Sequence, residues 1–583
     1  MSVKDFPSAR RCLSAALLAA YACMPSARKR RGGFEGVRGK IRVGWRVAFA
    51  TCGFLVFLGP QLKARAQLTP RDFYVDARSG NDANPGTAPA PFATVSRAVT
   101  VVAARQAPAR ILIRPGTYRE AISLAGFNRS SHTLILEGTA PGQVIISGSD
   151  IWNRGWKANS NGTYTHSWPY RWGFADDPWG DIGKLGRRRE MVFINGTQLE
   201  QQLSPPLRKP GTFFVVDGSA ITVYPPRGVE LSHAAIEVAV RSGLLTTPNG
   251  IANLFVRNLI FEHDASAIGN GTGGAVDISK GVNVHLENCV ARYNNWVGIV
   301  LQVVTHVRLT NVTADHNGED GIGGYRIDDL VAHNLNTSWN NWRGYAGGFV
   351  GVDANGTKIV RGHGLRFNGF VASHNLTGGF WLDTDNRDVY VKNCSFSSNL
   401  THGLTLENCQ GPLTFVNCAM TYNDKNGIIT NAVARLTVRN SVIFGNHGAQ
   451  LMPCSTGPIS VTDYQTHQKY SLLNRDWTLE KDRFGTVAPN GFVFGWCMSG
   501  GGWQAFKTGL KSDFNRWYAP HNPAPFAVAR TTLALPGWQT KTGQDQHSAA
   551  SPFQAPARSD GGAGVARSAK LRRKRDLSKG GGG

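Results

Sequence analysis

No Cys-x-x-Cys pair and no cluster of cysteine with histidine occurs in this chain, which removes the usual zinc-ligand patterns and a disulfide framework. Cysteine itself is scarce, with nine in 583 residues. Cys12, Cys23 and Cys52 fall in the leader; Cys289, Cys394 and Cys418 each follow an asparagine at one repeated position and read as small buried apolar residues. Their stacking leaves one bridge open, Cys394 to Cys418. Long apolar runs are also missing: Val47 to Gly59 is 13 residues, short of the roughly 20 that cross a bilayer. Acidic residues are outnumbered 39 to 63, for a net charge of +24. The excess is local, however. Residues 1–66 hold 13 Lys/Arg against 2 Asp/Glu and residues 555–583 hold 8 against 2, so the ends carry +17 and the long middle only +7. A nucleic-acid partner is therefore not expected.

What is present is abundant glycine, with Asn-Gly, Gly-Gly and Asp-Gly turns between short β-branched and aromatic runs, which predicts many strands and few helices. The length exceeds one ordinary core and implies several domains or a repeat. Arg42 and Arg46, the run Val47–Gly59 and then Ala64-Arg65-Ala66 have the layout of a secretory signal cleaved before Gln67, with an uncleaved anchor as the alternative. The mature chain is expected to be secreted or periplasmic, without a stable membrane span, and monomeric. The leader occupies 1–66. Residues 67–149 then hold a strand at Phe73–Asp76, a short helix over Ser96–Ala104 capped by Ser96, and Ile111-Leu112-Ile113-Arg114-Pro115-Gly116-Thr117-Tyr118. Residues 150–240 crowd Trp152, Trp156, Trp168, Trp172 and Trp179 beside two hairpin patterns, and read as an inserted antiparallel β-sandwich-like domain. Its tryptophans fill a core or line a sugar-facing wall.

From about residue 251 a repeat sets in. Asn288/Asn294, Asn311/Asn317, Asn334/Asn340, Asn393/Asn399, Asn417/Asn423 and Asn440/Asn446 all keep a spacing of six. With Asn375, the second members step by 23, 23, 35, 24, 24 and 23 residues. Such a period predicts an all-β fold, a parallel β-helix with one coil per repeat, whose stacked Asn side chains bond from coil to coil. The step of 35 implies an insertion of about a dozen residues near Trp342-Arg343-Gly344, emerging as a loop on one face. The main helix is assigned to 241–475, late coils and a cap to 476–554, and a basic Gly-rich disordered tail to 555–583.

Within the repeat, Gly379-Phe380-Trp381-Leu382-Asp383 and Gly403-Leu404-Thr405-Leu406-Glu407 hold matching places. Strand alternation sends Phe380, Leu382, Leu404 and Leu406 into the core, and Trp381, Asp383, Thr405 and Glu407 outward. The same offset in other coils gives Gln302, Tyr325 and Asn431, so one outer column reads Gln, Tyr, an inserted coil, Asp, Glu, Asn. Carboxylates stacked at the roughly 4.7–4.9 Å spacing of strands approach the short separation of a retaining glycosidase pair. Mutual repulsion would keep one protonated. A solvated surface column is the bland alternative.

The N-terminal segment up to Tyr118 resembles the opening of right-handed parallel β-helix proteins of the pectin-lyase-like superfamily, in which a helix plugs the end of the solenoid. Trp381-Leu382-Asp383, followed by Glu407 and then Gln410-Gly411-Pro412, resembles the active-site strands of β-helical β-xylosidases, glycoside hydrolase family 120. That resemblance implies a β-helix interrupted by a β-sandwich, Asp383 as nucleophile, Glu407 as acid/base and an oligo- or polysaccharide substrate. Trp342, Arg343, Tyr345 and Lys358 are expected as a cleft wall. Trp381, Tyr325, Gln302, Asn431, Asp385 and Asn386 are expected beside the pair, the last two as possible hydrogen-bond supports for Asp383. No cofactor is expected. Two other readings stay open. One is a polysaccharide lyase using a base among Lys358, Arg361, Arg366 and Arg343, with Ca²⁺ chelated by Asp383, Asp385 and Glu407. The other is a non-catalytic glycan-binding β-helix.

Overall fold

Stacked parallel strands dominate the computed structural model, which describes residues 69–555 and 557 apart from 128–131, 270–272, 352, 456 and 500. The expected secretory signal and leader at 1–66, with the three cysteines there, and the basic tail from 558 onward lie outside the described residues. Twenty-five strands form one continuous ladder from coil to coil, so the chain is an all-β parallel β-helix. Each coil contributes up to three faces. In one coil these are Gly378–Asp383, Arg387–Lys392 and a bridge at Ser395, which pair with Leu404–Glu407, Leu413–Val416 and Ala419 of the next. Among the described residues, no helix is long and apolar enough to cross a membrane.

The paired asparagines have two separate jobs. The second members form a buried ladder in which Asn294 donates to Asn317, Asn317 to Asn340, Asn340 to Asn375, Asn375 to Asn399, Asn399 to Asn423 and Asn423 to Asn446, at 2.8–3.2 Å. Each acceptor oxygen from Asn340 onward also takes a backbone N–H from the preceding coil, so corner amides that cannot join a strand are satisfied. The first members turn the opposite corner in the left-handed region, with φ 51° at Asn288 and 56° at Asn393. Their exposed ladder runs the other way, later coil donating to earlier.

This arrangement explains the glycines four residues after Asn375 and Asn399. A Cβ on Gly379 would lie 2.8 Å from Asn399 Nδ2 and 2.6 Å from the Gly403 carbonyl. One on Gly403 would lie 2.6 Å from Asn423 Nδ2. The next coil's amide occupies the space a side chain would take.

The N-terminal end is plugged by the helix Val95–Arg105, which buries Val95, Ala98, Val99 and Val102. Its N-cap is Thr94, not Ser96. Ser96 lies inside the first turn, where its amide and that of Val95 donate to the Glu120 carboxylate at 2.8 and 2.9 Å. At the other end the helix Leu535–Thr542 seats Trp538 against Phe494 and Phe526.

Between Ser147 and Val240 the chain leaves the solenoid and forms a four-stranded and a five-stranded sheet, almost wholly antiparallel. Their shared core contains Trp168, Val192, Ile194, Phe213, Ile221, Val223, Ile236 and Val238. Trp168 is fully buried, Trp152, Trp156 and Trp172 pack around it, and Trp179 stacks on Phe349 of the solenoid at 5.4 Å.

The 35-residue step contains no additional coil. It holds the short helix Trp342–Ala346 and a loop, after which Asn355–Asn368 resumes the register with Val360 in the outer column. Cys394 and Cys418 are free and buried. The disulfide joins Cys454 to Cys497, which meet in register on adjacent coils although 43 residues apart in sequence.

Candidate active site

Register alone assembles the outer column. Gln302 pairs with Tyr325, Tyr325 with Val360, Val360 with Asp383, Asp383 with Glu407, and Glu407 with Asn431. A second outward column runs beside it: Gly323, Lys358, Trp381, Thr405 and Ile429. Phe380, Leu382, Leu404 and Leu406 anchor the strands from inside and are completely buried.

Lys358 is the hub of the charges. Its ammonium contacts Asp383 Oδ2 at 3.2 Å, pairs with Asp353 and lies 3.9 Å over the ring of Trp381. Burial opposes its charge, but Asp353, Asp383 and Glu407 outweigh that, and its pKa rises well above the ordinary lysine value. Asp383 is only 8 % exposed and accepts a hydrogen bond from Thr384 Oγ1 at 2.8 Å. Glu407 is half-buried. Burial, then the neighbouring Asp383, pushes its carboxyl up from 4.5 to about 7, while Lys358 and the amide of Asn431 pull the other way. Near neutrality Glu407 can thus serve as a proton donor, next in register to an Asp383 carboxyl that contacts the Lys358 ammonium.

Further carboxylates approach from the corner before these strands. Glu319 and Asp320 are buried, and burial followed by neighbouring acids raises both well above the usual range. Neither these two nor Asp353 was foreseen. In the sequence they are ordinary loop acids, and only the corner geometry turns them toward Lys358.

Other expected residues take different positions. Arg343 is not a cleft residue: its guanidinium is buried and donates to Asn295 Oδ1 at 2.8 Å, Gln201 Oε1 at 2.7 Å and the Glu190 carbonyl at 2.6 Å. It ties the inserted domain to the solenoid. Trp342 packs at the same joint, near Met191 and Phe193, and donates its indole N–H to the His316 carbonyl at 3.0 Å. Tyr345 is half-buried on the same short helix. Asn386 does not support the Asp383 carboxylate. It is buried, donates to the backbone carbonyl of Asp383 at 2.8 Å, and accepts from Gly362 N. Asp385 is also fully buried, its two oxygens bonded to Gln410 Nε2 and to Tyr464 N. It is therefore withdrawn from both substrate and the expected calcium set.

The partner of Asp385 belongs to a hairpin, Ile459–Thr462 with Lys469–Leu472, that sequence reasoning missed. Tyr464 donates to Asp328, Asp463 pairs with Arg387 at 2.9 Å, and Tyr464 packs on His363 with ring centres 4.5 Å apart. The hairpin reaches back across several coils and braces the turns that follow the column strands. His363, Asp385 and Asp463 converge there. Their donors and acceptors are already used: Arg387 Nε donates to His363 Nδ1, and His363 Nε2 donates to the Asp385 carbonyl. Arg361 bonds the Tyr325 hydroxyl at 3.1 Å, and Arg366 is paired with Asp388.

Comparison with known proteins agrees with this architecture. A family model described as a right handed beta helix region matches residues 274–443, and one described as a protein of unknown function (DUF1565) matches residues 78–124. No curated protein sequence matches the chain. Among solved structures, that of XylC in complex with xylose is 14% identical, covers 79% of this chain and 86% of its own, and has a TM-score of 0.57. A glycoside hydrolase is 12% identical over 66% of this chain and 95% of its own, with a TM-score of 0.48. The A-module of the mannuronan C-5 epimerase AlgE6 of Azotobacter vinelandii is 13% identical over 79% and 95%, with a TM-score of 0.43. At such identities the likeness is one of fold: a right-handed parallel β-helix of the pectin-lyase-like kind.

Proposed function

We propose that this right-handed β-helix is a carbohydrate-active enzyme, a retaining glycoside hydrolase of β-xylosidase type. The observation that carries the reading is the in-register pair Asp383 and Glu407, with Lys358 bound to the first. Asp383, neutralised by Lys358, attacks the anomeric carbon while Glu407 gives its proton to the leaving oxygen. A covalent glycosyl-enzyme results. Glu407, now an anion, takes a proton from water, which attacks the same carbon and releases Asp383. Xylose as the sugar is supported only by the likeness to the xylose-bound fold relative.

The lyase reading loses support at its base. An amine that abstracts a proton must be neutral, and the carboxylates around Lys358 favour its ammonium form. Arg343, Arg361 and Arg366 are each engaged elsewhere.

The test is a panel of aryl glycosides, with aryl β-xylosides first. Asp383→Asn is expected to lower turnover by roughly 10³-fold or more on every substrate. Glu407→Gln is expected to spare substrates with good leaving groups and to cripple those that need protonation. The first product seen by NMR should keep its anomeric configuration. Full activity in Asp383→Asn, an inverted product, or an unsaturated product absorbing in the ultraviolet would each sink the assignment.

A further inference from the structure

The inserted domain carries an aromatic cavity that the catalytic face does not use. It has a volume of about 420 Å³, inside the roughly 300–1,000 Å³ range of small-molecule sites, and is lined by Ile151, Trp152, Asn153, Arg154 and His166. The rings of Trp152 and His166 lie 4.7 Å apart, and Trp156 packs on the same imidazole at 5.2 Å. Ile151 is 47 % exposed at the rim.

The polar groups of the cavity are mostly unspent. Asn153 uses its Oδ1 to accept from Ile236 N at 2.8 Å, which fixes the side chain and leaves Nδ2 as a donor. Among the described residues, no hydrogen bond or ion pair holds the Arg154 guanidinium or the Trp152 indole N–H. His166 Nδ1 faces the Ser167 carbonyl at 2.7 Å, so in the neutral ring Nε2 is an acceptor. Gly155, at φ 86°, keeps the approach to Nε2 clear, since a Cβ there would lie 2.8 Å from that nitrogen. Apolar ring faces beside donors from a guanidinium and an amide, with one acceptor, match a pyranose, whose C–H face is apolar and whose edge is hydroxyls.

We propose that this cavity is a second, non-catalytic glycan site, holding one or two sugar rings of a polysaccharide on the inserted domain while the solenoid cleaves elsewhere. The choice of sugar as ligand rests on the glycosidase reading of the catalytic face; the site itself does not. Binding there would raise the local concentration of polymer at the active face by tethering alone.

Native affinity electrophoresis of the full chain in gels containing soluble xylan, mannan, mixed-linkage β-glucan or pectin tests this. At least one polymer is expected to retard the wild-type chain, and Asp383→Asn equally. Trp152→Ala and Arg154→Ala should each weaken that retardation by at least about fivefold, with turnover of a small aryl glycoside within twofold of wild type. Trp152 also touches the domain core, so if Trp152→Ala unfolds, the exposed Arg154→Ala decides. Retardation unchanged in Arg154→Ala, or no retardation by any polymer, overturns the site even if Asp383→Asn is inactive. Retardation that depends on Arg154 in a chain without any turnover would uphold it and overturn the glycosidase.

Discussion

A single proton on Glu407 sets part of the stability of this site and, in the proposed mechanism, its chemistry. The carboxyl is pushed up from 4.5 to about 7, by burial first and Asp383 second. If the protonated form is the catalyst, kcat/KM on poor leaving groups falls about tenfold per pH unit above pH 7. Lys358 pulls that pKa down, so Lys358→Met should displace the alkaline limb to higher pH; an unmoved limb would make Lys358 a structural residue only. Stability follows with a defined sign. Below pH 4.5 the carboxyl is protonated in both folded and unfolded chains. Between 4.5 and 7 the unfolded chain releases its proton first, so stability declines as pH rises, and the whole penalty is present above 7. Glu407→Gln has no proton to lose. Its melting temperature, measured against wild type from pH 4.5 to 8, should gain ground steadily with pH; a constant offset would contradict the raised pKa.

The coil is the repeating element, and its two asparagines differ in what they hold. Asn399 is buried, accepts from both the backbone and the side chain of Asn375, and donates to Asn423 and the Ala372 carbonyl. Asn399→Ala strands several of these partners at once and should cost about 3 kcal/mol. Asn393 is an exposed left-handed corner, where glycine adopts the same φ without strain. Asn393→Gly should stay within about 1 kcal/mol of wild type. Gly403→Ala forces a Cβ to 2.6 Å from Asn423 Nδ2 and 2.7 Å from the Phe396 carbonyl, an overpacking of about 1–3 kcal/mol. Denaturant midpoints of the three variants rank them. Equal costs for Asn399 and Asn393 would refute the division between the two ladders.

Arg343 decides how the inserted domain and the solenoid behave as one molecule. It comes from the solenoid's short helix yet spends its guanidinium on Gln201 and the Glu190 carbonyl across the joint, and on Asn295 in its own domain. Arg343→Met keeps most of the packing and removes all three bonds, leaving buried acceptors unpaired at a cost of about 3 kcal/mol. Calorimetry should then show the inserted domain melting before the solenoid, as a separate transition. One unchanged transition would mean that the apolar contacts of Met191, Phe193 and Trp342 suffice.

The asparagine and glycine spacing was enough to read the β-helix, because a coil of fixed length repeats the same corner and the same side-chain demands every 23 or 24 residues. Strand alternation was enough to place Trp381, Asp383, Thr405 and Glu407 on the outer face, because a pleated strand must bury Phe380, Leu382, Leu404 and Leu406. The aromatic and turn pattern of 150–240 likewise pointed to antiparallel strands. What lies between the coils was not legible. Local pattern carries no trace of which loop acids turn toward Lys358, or of Cys454 meeting Cys497 across 43 residues. Nor does it tell that Arg343 faces the joint and not the cleft, or that Tyr464 reaches Asp328. Those contacts depend on where excursions of unequal length return over a rigid ladder, a matter of three-dimensional distance on which neighbours in sequence place almost no constraint.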